Sequence, residues 1–198
     1  MDRKRFEELL LQSLTHEKGG VNVYRAALRC ALEPDLQKEW SAYLTQTRRH
    51  VTVLRAVCAT FGIDPDAPLP CCKPAEHAGR ALVEAMELGL RMGDPVGAQL
   101  VACDCVVLAE TKDHANWQLL SELIPELAGA ERRALAEAVE EVGLEERAHI
   151  ESARGWARAL WLDTLGVSSS PPPPDDGTRR VTPALRPPEP EGAMAMKA

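Results

Sequence analysis

The sequence predicts an all-α protein, specifically an antiparallel four-helix bundle with one short extra helix. Three observations predict it: a composition poor in strand-forming residues, apolar residues that recur at three- and four-residue steps, and prolines and glycines that divide the chain into long segments. Only two Tyr, two Phe and four Trp occur among 198 residues. Strands favour β-branched and aromatic residues, so this composition favours helices.

The first two helices are predicted from about Asp2 to Ala31 and from Pro34 to Phe61. Their apolar positions follow the helical period. In the first helix they are Phe6, Leu9, Leu10, Leu14, Val21, Tyr24, Leu28 and Ala31. Asp2 is an expected N-cap, Pro34 suits a first helical turn, and Gly62 is an expected C-terminal stop.

Four prolines in the segment 64–74 predict a loop, and three further helices follow it. The short helix is expected over residues 75–92, the next over 95–124, and the last from about 126 or 130 to 165. Gly93-Asp94-Pro95 and Pro125 mark the breaks. Long helices joined by short connections pack as antiparallel neighbours, which predicts the bundle.

The sequence predicts two regions, a helical bundle over 1–166 and a Pro-rich tail over 167–198. The tail contains eight prolines and lacks the apolar density that ordering would require, so we expect it to be disordered. Two roles stay open for it: a solvated appendage, or a docking peptide for an unknown protein partner around 181–185.

The charge of the chain argues against two classes of partner. Its formal net charge is -7 and it has no basic cluster, so neither nucleic acid nor an anionic membrane surface is expected to bind it. No apolar run approaches the length of a membrane span. The segment 1–5 is basic but lacks the apolar stretch of a signal peptide, so we expect a protein of the cytoplasm, or of a compartment that it reaches already folded.

The six cysteines are expected to be free thiols in a reducing compartment, mostly small core residues. They are Cys30, Cys58, Cys71, Cys72, Cys103 and Cys105. The adjacent pair Cys71-Cys72 lies in the predicted loop, and a redox role for it stays open as a minor alternative.

Acidic and imidazole side chains recur on the inward faces of the four long helices. They are Glu17, His50, Glu110, Asp113, Glu146 and His149. Residues three apart on a helix share a face, which pairs Glu110 with Asp113 and Glu146 with His149. A buried carboxylate is costly unless it is paired or bound to metal, so these positions predict a metal site.

This pattern resembles the ferritin-like di-iron carboxylate superfamily, in which two helices each supply a Glu and two each supply a Glu-x-x-His. Glu17 followed by Tyr24 is similar to the first-helix element of rubrerythrin-like proteins. Glu110-Thr-Lys-Asp113-His-Ala-Asn-Trp117 resembles the third-helix element, and Glu146-Arg-Ala-His149 the fourth. The resemblance covers residues 5–165 and is nearest to the stress-associated branch of bacterial ferritin-like proteins.

The sequence departs from the family at two ligand positions. Thr47 stands where the second-helix Glu, which ordinarily bridges the two metals, is expected before His50. Asp113 is one methylene shorter than Glu. Gln46 and Glu39 are alternative donors in place of the missing Glu. Three further side chains are expected to contact the ligands rather than the metal: Tyr24, Thr47 and His114.

The resemblance implies a protein that binds iron at a di-iron or a degenerate site, with manganese as the alternative metal. It implies oxidation or detoxification chemistry with oxygen or peroxide, a role in stress response, and a homodimer or higher homo-oligomer. A metal-free helical scaffold that acts through protein contacts is the alternative, and Thr47 favours it. The four tryptophans are expected to fill the core, and His16 and His77 to be exposed or to lie near the ligands.

Overall fold

The computed structural model describes residues 1–173, and this part of the chain contains five α-helices, two short 3₁₀ turns and no strand. The helices are α1 (Arg3–Cys30), α2 (Pro34–Thr60), α3 (Lys73–Arg91), α4 (Pro95–Leu123) and α5 (Gly129–Thr164). The all-α prediction is therefore confirmed. Most of the predicted tail, residues 174–198, lies outside the described residues.

The helix ends follow the capping signals of the sequence. The Asp2 side chain accepts a hydrogen bond from the backbone N–H of Arg5 at 3.2 Å, as an N-cap does. Gly62 and Gly93 follow α2 and α3 with φ of 68° and 75°, a conformation that glycine adopts without steric cost. The predicted loop over 64–74 ends too late, because α3 already begins at Lys73. Pro74 lies in the first turn of α3, where a backbone N–H has no partner within the helix, so proline costs no hydrogen bond there.

The four long helices contact one another in a ring: α1 packs on α2 and α4, and α5 packs on the same two helices. Arg3, at the start of α1, contacts Glu131 at the start of α5, so these two helices run in the same direction. Leu32, just after α1, bonds to Gln99 near the start of α4, so α1 and α4 run in opposite directions.

Helix α3 lies outside the ring against α1 and α4. It crosses α1 where two glycines meet: a Cβ atom added to Gly79 would be 3.4 Å from the Cα of Gly19. The absence of side chains at Gly19 and Gly79 therefore allows α1 and α3 to approach closely. A three-residue connection makes α2 antiparallel to α1, and α4 is also antiparallel to α1, so α2 and α4 run in the same direction.

The apolar core forms two separate clusters, one toward each end of the helix ring. One cluster contains Tyr24, Trp40, Val106 and Trp156, and the other contains Phe6, Leu54, Trp117 and Leu135. Each long helix contributes one segment to each cluster, and its predicted metal ligands lie between these two segments. The fold therefore has a polar layer at mid-height, enclosed by apolar side chains above and below.

Trp161 is the exception to the prediction that the tryptophans fill the core. Its side chain is 42% exposed, and its indole N–H donates to Asp104 at 3.2 Å. This position is on the outward face of the last turn of α5, where no helix covers it. Beyond α5 the chain turns back, and the Ser169 hydroxyl donates to the carbonyl of Ala159.

Five of the six cysteines are buried, and all six are free thiols, as the sequence predicts. The Sγ atoms of Cys71 and Cys72 are 4.0 Å apart. Among residues 1–173, none of the helices is both long enough and apolar enough to span a membrane.

Candidate metal centre

All six predicted metal ligands lie in the polar layer, and none is more than 4% exposed. Glu17 comes from α1, His50 from α2, Glu110 and Asp113 from α4, and Glu146 and His149 from α5. Each long helix presents these residues inward because they lie in register with its apolar stripe. Burial of six ionisable groups together is costly unless each finds a partner of opposite charge or a metal.

The first group of ligand atoms joins three helices. The Nδ1 atom of His50 lies 3.3 Å from Oε1 of Glu17 and 3.0 Å from Oε1 of Glu146. One ligand atom from each of these residues lies within 4.8 Å of the other two, so the group could hold a metal ion.

The second group joins α4 and α5. The Nδ1 atom of His149 lies 3.5 Å from Oε2 of Glu110 and 3.7 Å from Oε1 of Glu146. These three residues also bring their ligand atoms within 4.8 Å of one another. Glu146 belongs to both groups, and the rings of His50 and His149 stack with centroids 5.6 Å apart.

The outer nitrogen of each imidazole has its own hydrogen-bond partner. Nε2 of His50 lies 2.8 Å from Oε2 of Glu145, a carboxylate that also contacts Arg49. Nε2 of His149 lies 2.7 Å from Oε1 of Gln46. When each Nε2 carries the proton, each Nδ1 presents its lone pair to the carboxylates of the polar layer.

Several buried side-chain atoms of these ligands have no hydrogen-bond partner. They are Oε2 of Glu17, Oε2 of Glu110, Oδ1 of Asp113, both carboxylate oxygens of Glu146, and Nδ1 of His50 and of His149. Buried polar atoms are nearly always satisfied in folded proteins. Oxygen and imidazole donors left without partners fit a metal such as iron or manganese.

The charges of the layer perturb the pKa of His50 and of Glu146. Burial lowers the pKa of His50, but its contacts with Glu146 and Glu17 outweigh burial and raise it to about 11. Burial raises the pKa of Glu146 to about 7, with Glu17 and Glu110 acting in the same direction and His50 opposing them. Without metal, His50 therefore carries a proton that partly compensates the carboxylates.

Burial and the neighbouring carboxylates also shift the pKa values of Asp113 and His149. Burial raises the pKa of Asp113 well above its ordinary value, and the charges of Glu17, Glu146 and Glu110 add to this effect. Burial lowers the pKa of His149, but Glu110 and Glu146 outweigh it and raise the pKa overall. Asp113 is thus electrostatically part of the layer, although it belongs to neither group of three.

The three residues expected to contact the ligands lie in different surroundings. Tyr24 is buried, its ring is 6.2 Å from that of His149, and burial together with the charge of Glu110 raises its pKa. The hydroxyl of Thr47 donates to the carbonyl of Tyr43, and its methyl group points toward Gly20. His114 is half-buried, and burial with Arg147 and Arg154 lowers its pKa.

Sequence reasoning did not identify the residues that hold the ligands in place. The indole N–H of Trp117 donates to Oε1 of Glu17 at 2.8 Å, whereas the sequence indicated only a core filler. The sequence pattern did not single out Glu145, whose carboxylate contacts His50. The sequence did contain an indication of this contact. A basic pair, Arg49-His50, lies on one helix and an acidic pair, Glu145-Glu146, on another, and pairs of opposite charge on two helices can bind each other.

The two alternative donors for the missing Glu do not occupy its place. Glu39 accepts hydrogen bonds from the Tyr43 hydroxyl and the Trp156 indole, both at 2.7 Å, and from the Ser152 hydroxyl. Gln46 contacts the outer nitrogen of His149 rather than the inner face of the ring. Neither residue belongs to the groups of ligand atoms found in the described part of the chain.

Comparison of the chain with protein-family models, with curated proteins and with solved structures finds no match. The function of the centre is therefore inferred from the residues of this chain alone.

Proposed function

We propose that this protein is a ferritin-like metal-binding protein that holds two divalent metal ions side by side in its polar layer. In this proposal α1, α2, α4 and α5 form a ferritin-like four-helix bundle, and α3 is the crossover connection. The observation that carries it is the pair of ligand groups that share Glu146, each with its ligand atoms within 4.8 Å. A carboxylate common to both groups would allow Glu146 to help hold two adjacent ions.

The charge of the donor set supports two divalent ions. With both imidazoles neutral, the carboxylates of Glu17, Glu110, Asp113 and Glu146 carry four negative charges, which balance two ions of charge +2. Asp113 supplies the fourth carboxylate, because position 47 has a threonine in place of the expected glutamate. Carboxylate oxygen with imidazole nitrogen favours iron or manganese over softer metals, and we propose iron.

The surrounding residues exclude water and control protons. The two apolar clusters enclose the layer, which strengthens electrostatic interactions inside it. Because ligands bind metal only when deprotonated, His50, Glu146 and Asp113 must release the protons that their raised pKa values retain in the metal-free protein. Iron, when bound, would supply electrons for the reduction of oxygen or peroxide. A detoxifying role under stress and a homo-oligomeric state belong to the same proposal.

Anaerobic titration of the metal-free protein with Fe²⁺ tests the proposal. We expect two ions per chain in the wild type, and loss of both in Glu146→Ala because both groups lose their shared ligand. Glu151→Ala is the matched control, since Glu151 is an exposed glutamate on the same helix. Circular dichroism shows whether each variant keeps its helices.

Failure to bind Fe²⁺ in the wild type, or unchanged binding in Glu146→Ala, would contradict the proposal. The outcome with no binding would favour the second candidate, a metal-free scaffold acting through protein contacts. The hydroxyl of Thr47, already bonded to the backbone of Tyr43, is the observation that favours this candidate, because it leaves the second helix with one ligand instead of two.

A further inference from the structure

We propose that the two metal positions are unequal and that the position at His50 binds its ion more tightly than the position at His149, with Glu145 and Gln46 as the residues that set the difference. The inference rests on the proposed function, since it concerns the same metals. It comes from residues that do not touch the metal positions but contact the outer nitrogens of the two imidazoles.

The two imidazoles are otherwise alike. Both are fully buried, both direct Nδ1 toward Glu146, and both have a second carboxylate near Nδ1: Glu17 for His50 and Glu110 for His149. As metal ligands both must be neutral at Nδ1, so the remaining ring proton lies on Nε2 in each case. The two positions differ in chemical type at the group that accepts that proton.

The acceptor for His50 is a carboxylate and the acceptor for His149 is an amide. Oε2 of Glu145 lies 2.8 Å from Nε2 of His50, and Oε1 of Gln46 lies 2.7 Å from Nε2 of His149. The lengths are nearly equal, so the charge of the acceptor is what differs. An anionic acceptor attracts the Nε2 proton more strongly, which leaves more electron density at Nδ1 for the metal.

Glu145 is held so that this contact persists. Arg49 bonds to the same Oε2 atom of Glu145 and also pairs with Glu141 at 3.3 Å. The guanidinium of Arg49 therefore holds the carboxylate of Glu145 beside Nε2 of His50.

Stepwise anaerobic titration with Co²⁺, whose visible absorption reports its ligands, tests the inference. In the wild type we expect two binding steps of unequal affinity. Glu145→Gln should weaken the tighter step by about 10–100-fold, the usual effect of losing such a partner, and leave the weaker step unchanged. Gln46→Glu should strengthen the weaker step and bring the two affinities closer together.

Glu141→Gln is the matched control for Glu145→Gln. It removes one negative charge from the same arginine, but Glu141 pairs with Arg49 without a bond to His50. We expect its two steps to match those of the wild type. If the role of Glu145 were purely structural, Glu145→Gln would weaken both binding steps. Gln46→Glu would then bind Co²⁺ no more tightly than the wild type.

The outcomes separate this inference from the proposed function. Two ions bound with equal affinity, or equal weakening of both steps in Glu145→Gln, would overturn the inference while the metal-binding function stands. Absence of Co²⁺ binding to the wild type, together with absence of Fe²⁺ binding, would overturn both.

Discussion

At the scale of single residues, the arrangement around Glu17 shows how a buried carboxylate is oriented. One oxygen, Oε1, accepts the indole N–H of Trp117 at 2.8 Å, and the other, Oε2, has no hydrogen-bond partner. The indole thereby fixes the orientation of the Glu17 carboxylate. A tryptophan that looks like a core filler in the sequence is also a hydrogen-bond donor to a proposed ligand.

Replacement of Trp117 by Phe should destabilise the metal-free protein. The variant leaves a buried carboxylate without its donor, and a hydrogen bond to a charged group contributes about 1.5–3 kcal/mol. Urea unfolding measures the change. In a Glu17→Gln background the effect of Trp117→Phe should be smaller, because the acceptor is no longer charged; an equal effect in both backgrounds would show that only packing is lost.

At the scale of helices, the contact of α1 with α3 depends on glycine at the crossing point. A Cβ atom on Gly79 would lie 3.4 Å from the Cα of Gly19, an ordinary van der Waals distance, so a side chain larger than a methyl group would start against the α1 backbone. This contact explains why Gly19 is tolerated in the middle of a long helix. Its cost in helix propensity is offset by close packing.

Two substitutions at Gly79 should therefore have different effects on the stability of the protein. Gly79→Ala should leave stability unchanged or raise it by up to about 1 kcal/mol, because alanine favours the helix and its methyl group fits. Gly79→Leu should lower stability by about 1–3 kcal/mol by forcing the helices apart. Urea unfolding measures both.

Ala78→Leu is the control for the larger side chain, since Ala78 is exposed on the same helix. We expect it to have little effect on the free energy of unfolding. If Gly79→Leu proved no less stable than Ala78→Leu, the close approach of α1 and α3 would not limit side-chain size.

At the scale of the whole molecule, a polar layer divides the core into two apolar clusters. In the metal-free protein this layer contains more carboxylates than imidazoles, so protons substitute for metal charge. The pKa values of His50, His149, Glu146 and Asp113 are all raised by their surroundings. All four groups therefore favour the folded state more at low pH than at high pH.

The thermal stability of the metal-free protein should accordingly fall as pH rises from about 5 to about 9. For Glu146 the contribution is complete below the ordinary pKa of 4.5 and is lost as pH passes about 7. For His50 it is complete below 6.5 and is lost as pH approaches about 11. Scanning calorimetry in chelator-treated buffers measures the slope.

A double variant, His50→Gln with Glu146→Gln, should have a much weaker dependence on pH over the same range. A wild-type protein whose melting temperature rises from about pH 5 to about pH 9 would contradict the expected proton occupancy of the layer.

The helices and the candidate ligands were predictable because both depend on local spacing. The 3.6-residue period locates each buried stripe, and prolines such as Pro34 and Pro95 mark where helices begin. Glu146 and His149 share a face wherever their helix is placed. The boundary error at Pro74 arose because a proline suits both a loop and a first helical turn.

The sequence by itself determined the all-helical class, the long segments and the six polar residues on inward faces. Only the tertiary structure decided which of them share a layer, that Glu146 belongs to both ligand groups, and that Glu145 and Gln46 contact the two imidazoles. The reason is that register between helices results from packing of whole faces, which no local period specifies. A one-residue difference separates Glu145 from Glu146 in the chain, yet it places them on opposite sides of the same histidine.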